Sequence, residues 1–155
     1  MKTKLLPKAL LQTSIIEVHY QRPLFDSLKL VSNASDADEC FRKVFNEKQI
    51  SLKEFFCVML LNRANLVIGI STISIGSISG VEVNTKEIFQ LSLLTNTSSV
   101  IIAHNHPSGN LKASSSDLQI TKKIKQGLDV LGVSLLDHII ITSESFLSFT
   151  QEGLL

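Results

Sequence analysis

The sequence predicts an α/β fold: a single three-layer domain in which a mixed β-sheet carries helices on both faces. Three observations predict it. The chain has 155 residues, 44% of them hydrophobic and 19% charged, which suits one globular domain with a substantial core. Two runs, FFCVMLLN after Glu54 and SVIIA at 99–103, are apolar on both faces, as strands in the middle of a covered sheet are. Around them lie segments whose apolar residues recur at helical spacing. No internal repeat and no second domain is expected. Residues 1–30 read as an N-terminal extension with short strands, and 31–155 as the main domain.

The elements follow in chain order. Residues 13–20 (TSIIEVHY) and 27–32 (SLKLVS) are β-branched or alternating and read as two short strands around Arg22-Pro23. Ser35 starts a helix with Asp36, Asp38 and Glu39 in its first turn, where carboxylates meet the positive end of the helix dipole. Phe41, Val44 and Phe45 form its apolar stripe. Glu54 opens the first buried strand, Asn62 to Asn65 is a polar turn, and 66–73 (LVIGISTI) is the next strand. Gly76 to Gly80 is a Gly/Ser loop, and Thr85 starts a helix to about Leu94. The strand at 99–103 ends directly on His104. A loop from Asn105 to Ala113 leads to Ser114, where the longest helix begins. Leu118, Thr121, Ile124, Leu128 and Leu131 share one of its faces, and Gly132 stops it. Residues 133–142 (VSLLDHIIIT) and 145–150 (SFLSFT) finish as strands.

Composition narrows the function classes. Fifteen Lys and Arg offset fourteen Asp and Glu, for a net charge of +1, so the balance does not show the strongly basic surface common in nucleic-acid binders, while leaving room for a local patch. Lys122, Lys123 and Lys125 form a short basic face that reads as solvated surface. Cys40 and Cys57 make no CxxC pair and no disulfide framework, and read as reduced thiols of a cytoplasmic protein. No apolar stretch reaches ~18 residues, so neither a membrane span nor a membrane partner is expected. The start, MKTKLLPKALLQ, is interrupted by Pro7 and Lys8 and lacks a small-residue cleavage site, so it does not read as a leader.

The informative segment runs from His104 to Asp117 (HNHPSGNLKASSSD). His104 and His106 stand two apart at a strand end, where i and i+2 point to the same side. Two imidazoles can therefore converge on one cation. Pro107 and Gly109 turn the chain, and Asp117 arrives on the first turn of the next helix as a third ligand. Two His and one carboxylate leave an open coordination position, as catalytic zinc sites do. Zinc lowers the pKa of a bound water from 15.7 to ~7. A general base completes such a site, and the candidate is Glu54, at the start of a buried strand where a carboxylate needs a partner. Blander readings exist for each part. Ser114-x-x-Asp117 is also a capping-box pattern, an HxH pair alone is commonly structural, and Glu54 could simply precede its strand in solvent. The joint spacing favours the site.

That joint pattern, E…HxH-x7-SxxD, resembles the JAMM (MPN-type) zinc metallopeptidases, many of which cleave isopeptide bonds of ubiquitin. HNHPSG, the SxxD that follows, and LGV-x-LLDHIII are closest to the RadC-like branch of that superfamily, over roughly residues 30–150. The resemblance implies the JAB/MPN fold, similar in type to cytidine deaminases, for the main domain. It implies one zinc ion held by His104, His106 and Asp117, with Glu54 as general acid/base. Ser114 would bind the catalytic water or the oxyanion, and Asp137-His138 would give supporting contacts. The implied activity is zinc-dependent hydrolysis of a peptide or isopeptide bond in an unknown protein or peptide substrate. The alternative is a non-catalytic, metal-stabilised binding module in DNA repair or other DNA transactions. Full-length relatives of this branch commonly begin with a helix-hairpin-helix module, whereas the first thirty-odd residues here read as short strands, so a DNA partner has little support. Ala113 and Lys86 stand where the branch usually has Pro and Arg. Other chemistries fail on their motifs: there is no HExxH, no HxE with PCxxC, and Gly76 to Gly80 carries Ile78 where a nucleophile elbow needs Ser.

Overall fold

In a computed structural model, residues 20–21, 28–76 and 82–155 are described. The strand expected at 13–20 lies outside them except for Tyr20, and so does the Gly/Ser loop beyond Gly76. The described residues form α1 (Ala34–Arg42), β1 (Glu54–Leu61), β2 (Val67–Gly76), α2 (Thr85–Leu94), β3 (Ser99–Asn105), α3 (Ser115–Val130), β4 (Ser134–Ile141) and β5 (Phe146–Ser148). They make one five-stranded sheet in the order β2-β1-β3-β4-β5. Only β3 and β4 run parallel, and the remaining neighbours are antiparallel, so the sheet is mixed as expected.

The double-sided apolarity of β1 has a direct cause. Phe55, Cys57, Met59 and Leu61 pack on one face with Ala37, Cys40 and Phe41 of α1. Phe56, Val58 and Leu60 pack on the other with Ile88 of α2 and Ile124 and Leu128 of α3. A central strand with helices on both sides has no face left for water.

Three expectations are corrected. Where a strand was expected at 27–32, the described residues make a single bridge, Leu30 to Leu66. Asn33 then turns the chain by accepting from the Asp36 N–H as the cap of α1. That helix therefore starts at Ala34 and ends at Arg42, which leaves Val44 outside it and exposed. On α3 the inward row is Asp117, Thr121, Ile124 and Leu128. Leu118 stands one residue, about 100°, off that row and is exposed.

Two features aim side chains at the end of β3. This strand runs on through His104 and Asn105, so His104 extends the Val100–Ile102 row on the α3 side and Asn105 extends the Ile101–Ala103 row on the α1 side. In β4 the register slips: Val100 opposes Leu135 but Ile101 opposes Asp137, with Leu136 as the extra residue. A bulge swaps the faces of all that follow. It puts His138 opposite Ile102, on the same side of the sheet as His104.

Candidate metal centre

The metal-ligand candidates meet at one point. Nε2 of His104 and Nε2 of His106 are 2.9 Å apart. Asp117 Oδ1 is 3.3 Å from the first and Oδ2 is 3.6 Å from the second. Zn–N and Zn–O bonds of about 2.0–2.1 Å imply ligand-to-ligand edges of roughly 3.4 Å around a tetrahedral ion; one donor atom from each of the three residues lies within 4.8 Å of the others.

Each ligand is held by its own local structure. His104 is 1% exposed and stacks on Phe56, ring centroids 6.0 Å apart. The main-chain N–H of His106 donates to the Ile141 carbonyl, 2.9 Å. The turn through Pro107 and Gly109, which takes the left-handed φ of +78°, brings the Asn110 carbonyl to 2.6 Å from His106 Nδ1. A carbonyl only accepts, so that nitrogen carries the proton and Nε2 offers its lone pair to the cluster. Asp117 belongs to a capping box. Its N–H donates to Ser114 Oγ and its Oδ2 accepts from the Ser114 N–H, which fixes the carboxylate at the positive end of α3. The capping and ligand readings of this motif are therefore compatible. The Ser114 hydroxyl accepts the cap bond, while its own proton has no acceptor among the described residues.

The chemistry of this donor set fits a cation. Two imidazole lone pairs and a carboxylate facing one another repel unless a proton or metal ion lies between them. Their ionisation reflects it. The neighbouring Asp117 carboxylate raises His106 above the usual imidazole range, against burial and with help from the Asn110 carbonyl. Burial is the largest single influence on Asp117 and works upward. The adjacent His104 and His106 imidazoles and the Ser114 N–H together outweigh it and hold the carboxyl well below its ordinary value.

Glu54 is half-buried at the mouth of β1. Burial raises its carboxyl above the usual range, His104 and His106 oppose that rise, and Asp117 adds to it. Glu54 thus lies in the field of all three ligand candidates. Its placement comes from Asn105, which the sequence reading took only as the start of a loop. The fully buried Asn105 side chain accepts from the Phe55 N–H at 2.7 Å and donates to the Ile50 and Lys53 carbonyls at 2.6 and 2.7 Å. It grips the backbone on both sides of Glu54. The signal was present in the sequence: between two residues facing one way along a strand, the middle residue faces the other.

The pair Asp137-His138 divides. His138 Nε2 lies 2.7 Å from His104 Nδ1. The Asp137 carboxylate accepts from the N–H groups of His138 and Thr150 and from the Ser148 hydroxyl. It ties β4 to the turn after β5 and does not reach the cluster.

A RadC-like JAB domain profile matches residues 31–154. A UPF0758 protein of Flavobacterium johnsoniae is 37% identical over 149 residues, 95% of this chain and 64% of its own length. A UPF0758 protein of Clostridium acetobutylicum is 38% identical over 131 residues, 84% of this chain and 56% of its own. One from Clostridium beijerinckii is 41% identical over 103 residues, 66% of this chain and 45% of its own. The chain spans about half to two thirds of the length of these relatives. Among the described residues no helix is long and apolar enough to cross a membrane.

Proposed function

We propose a function for a chain whose family is settled: it belongs to the RadC-like JAB domain family. The reading is a zinc-dependent hydrolase of the JAMM type that cleaves a peptide or isopeptide bond. One observation carries it: the donor atoms of His104, His106 and Asp117 converge in the field of a half-buried glutamate.

His104, His106 and Asp117 would hold the ion. When bound, zinc supplies Lewis acidity toward a carbonyl oxygen and lowers the pKa of a water it holds. Glu54 takes the proton of the attacking water and passes it to the leaving nitrogen. A carboxyl raised by burial suits both halves of that task, because it binds the proton firmly enough to carry it. Ser114 presents its spare hydroxyl proton to the oxyanion. Asn105 holds the Glu54 backbone in place throughout. Glu54 is also what separates this reading from a purely structural metal site, which has no use for a half-buried carboxyl nearby.

The test begins with metal. Elemental mass spectrometry of the purified chain should give close to one zinc per chain, lost in a His104→Ala/His106→Ala variant. Hydrolysis of peptide and isopeptide libraries should then fall about 10²–10⁴-fold in Glu54→Gln with zinc content unchanged. Full activity in Glu54→Gln would remove Glu54 from the chemistry. A wild type that takes up no zinc would overturn the reading as a whole.

A further inference from the structure

His104 touches the metal cluster with one ring nitrogen and the protein interior with the other. Its Nδ1 lies 2.7 Å from His138 Nε2. The other nitrogen of His138, Nδ1, lies 2.6 Å from the Thr121 hydroxyl oxygen. That hydroxyl donates to the main-chain carbonyl of Asp117, one turn earlier in α3. Imidazole and hydroxyl can each donate or accept, but a carbonyl can only accept. The carbonyl end therefore gives the chain a direction.

The direction propagates link by link. Thr121 has one hydroxyl proton and it lies on the Asp117 carbonyl, so the Thr121 oxygen accepts from His138 Nδ1–H. The His138 ring is completely buried, with Phe149 and Phe56 centroids 4.4 and 5.8 Å away, where the neutral imidazole is the stable form. With its proton on Nδ1, its Nε2 is a lone pair, which accepts from His104 Nδ1–H. His104 then turns its own Nε2 lone pair toward His106 and Asp117. Run the other way, the chain would leave the Thr121 and Asp117 oxygens in contact with no proton between them. Asp117 takes part at both ends, by its carboxylate in the cluster and by its carbonyl at the anchor.

We propose that Thr121 and His138 are positioning residues: a one-way hydrogen-bond relay, anchored on the Asp117 carbonyl, that locks His104 as its Nδ1–H tautomer with Nε2 free for the metal. The proposal rests on the metal-site reading above. The β4 bulge at Leu136 is what delivers His138 to this relay, and Thr121 sits on the inward row of α3 for the same purpose.

The test uses the full chain stripped of metal by chelation, with ¹⁵N NMR at mildly alkaline pH to read the tautomer of His104. Zinc affinity is measured separately by competition with a chromophoric chelator. Wild type should show His104 protonated at Nδ1. Thr121→Val removes the hydroxyl at nearly constant shape; it should mix the two tautomers and weaken zinc about 10–100-fold. Thr121→Ser restores the hydroxyl and should recover both. His104 protonated at Nε2 in the wild type would overturn the proposal whether or not any variant folds. So would a folded Thr121→Val that keeps the wild-type tautomer. Failure of zinc to bind wild type would sink the metal-site reading instead, and the NMR result would still judge the relay.

Discussion

Asn105 stands between two histidines and faces away from both. Its side-chain oxygen and its NH₂ serve three main-chain groups around Glu54, and the bonds to Phe55 and Ile50 are shielded from water. Asn105→Asp keeps the acceptor for Phe55 but turns a charged acceptor toward two carbonyls. Unpaired buried groups cost about 1–3 kcal/mol each, so the variant should lose roughly 3–5 kcal/mol in urea unfolding. An Asn105→Asp protein as stable as wild type would show that the grip is dispensable. His138 makes a second prediction at this scale. Burial, and then the charge of His104, push its imidazole well below the ordinary value. Below about pH 6.5 the unfolded chain binds a proton there and the folded chain does not, so folding weakens as pH falls, by about 1.4 kcal/mol per unit. His106 acts oppositely, because Asp117 lets the folded chain hold that proton to higher pH. The difference between wild type and His138→Gln isolates the His138 part. For metal-stripped protein, the stability gap between the two should narrow between pH 7 and 5. A gap independent of pH would mean that His138 is not held neutral.

At the scale of elements, α2 meets α3 through a close approach. A Cβ built on Gly127, in the middle of α3, would stand 2.2 Å from the Phe89 ring tip. Glycine inside a helix ordinarily costs about 0.5–1 kcal/mol relative to alanine, and here the cost is offset by the seat it leaves for Phe89. Gly127→Ala should therefore destabilise the wild type by roughly 1–2 kcal/mol as the ring is displaced from the core. In a Phe89→Ala background it should stabilise, by about 0.5–1 kcal/mol, since only helix propensity remains. Thermal unfolding of the four proteins gives the cycle, and the same sign in both backgrounds would refute the contact. What could be read from sequence divides along the same lines. HxH, the turn at Pro107 to Gly109, and Ser114-x-x-Asp117 are spaced by local geometry, strand alternation and a helix start, so the convergence of His104, His106 and Asp117 was legible. The Leu136 bulge was not, because a one-residue slip between β3 and β4 arises from pairing across the crossover helix and leaves no mark on either strand alone. Leu118 was placed inward for a related reason. Apolar character favoured it, whereas the inward row of α3 begins at Asp117, one residue earlier.

At the scale of the whole molecule, the centre lies at the carboxyl end of β3, the strand linked to its parallel neighbour β4 through α3. Ligands in sheets of parallel strands lie beyond those ends, where the following loop and the helix N-terminus converge. The consequence here is mechanical as well as chemical. His104 and His106 come from β3 and the loop after it, and Asp117 from the first turn of α3. His138 braces the group from β4, and Asn105 ties the same strand end to β1. An ion at this junction would therefore cross-link the end of β3 and the loop after it to the first turn of α3, tying the sheet to the helix layer on one of its faces, and its binding energy would add to the stability of the fold. At free zinc 100-fold above the dissociation constant, linkage gives about 2.7 kcal/mol, which for a domain of this size is roughly 5–10 °C in Tm. Calorimetry should show one transition, moved upward as a unit by zinc and back by chelation, with no such shift in His104→Ala/His106→Ala. A zinc-dependent shift confined to a minor early transition would place the ion on a locally unfolding loop and deny it this tie between layers.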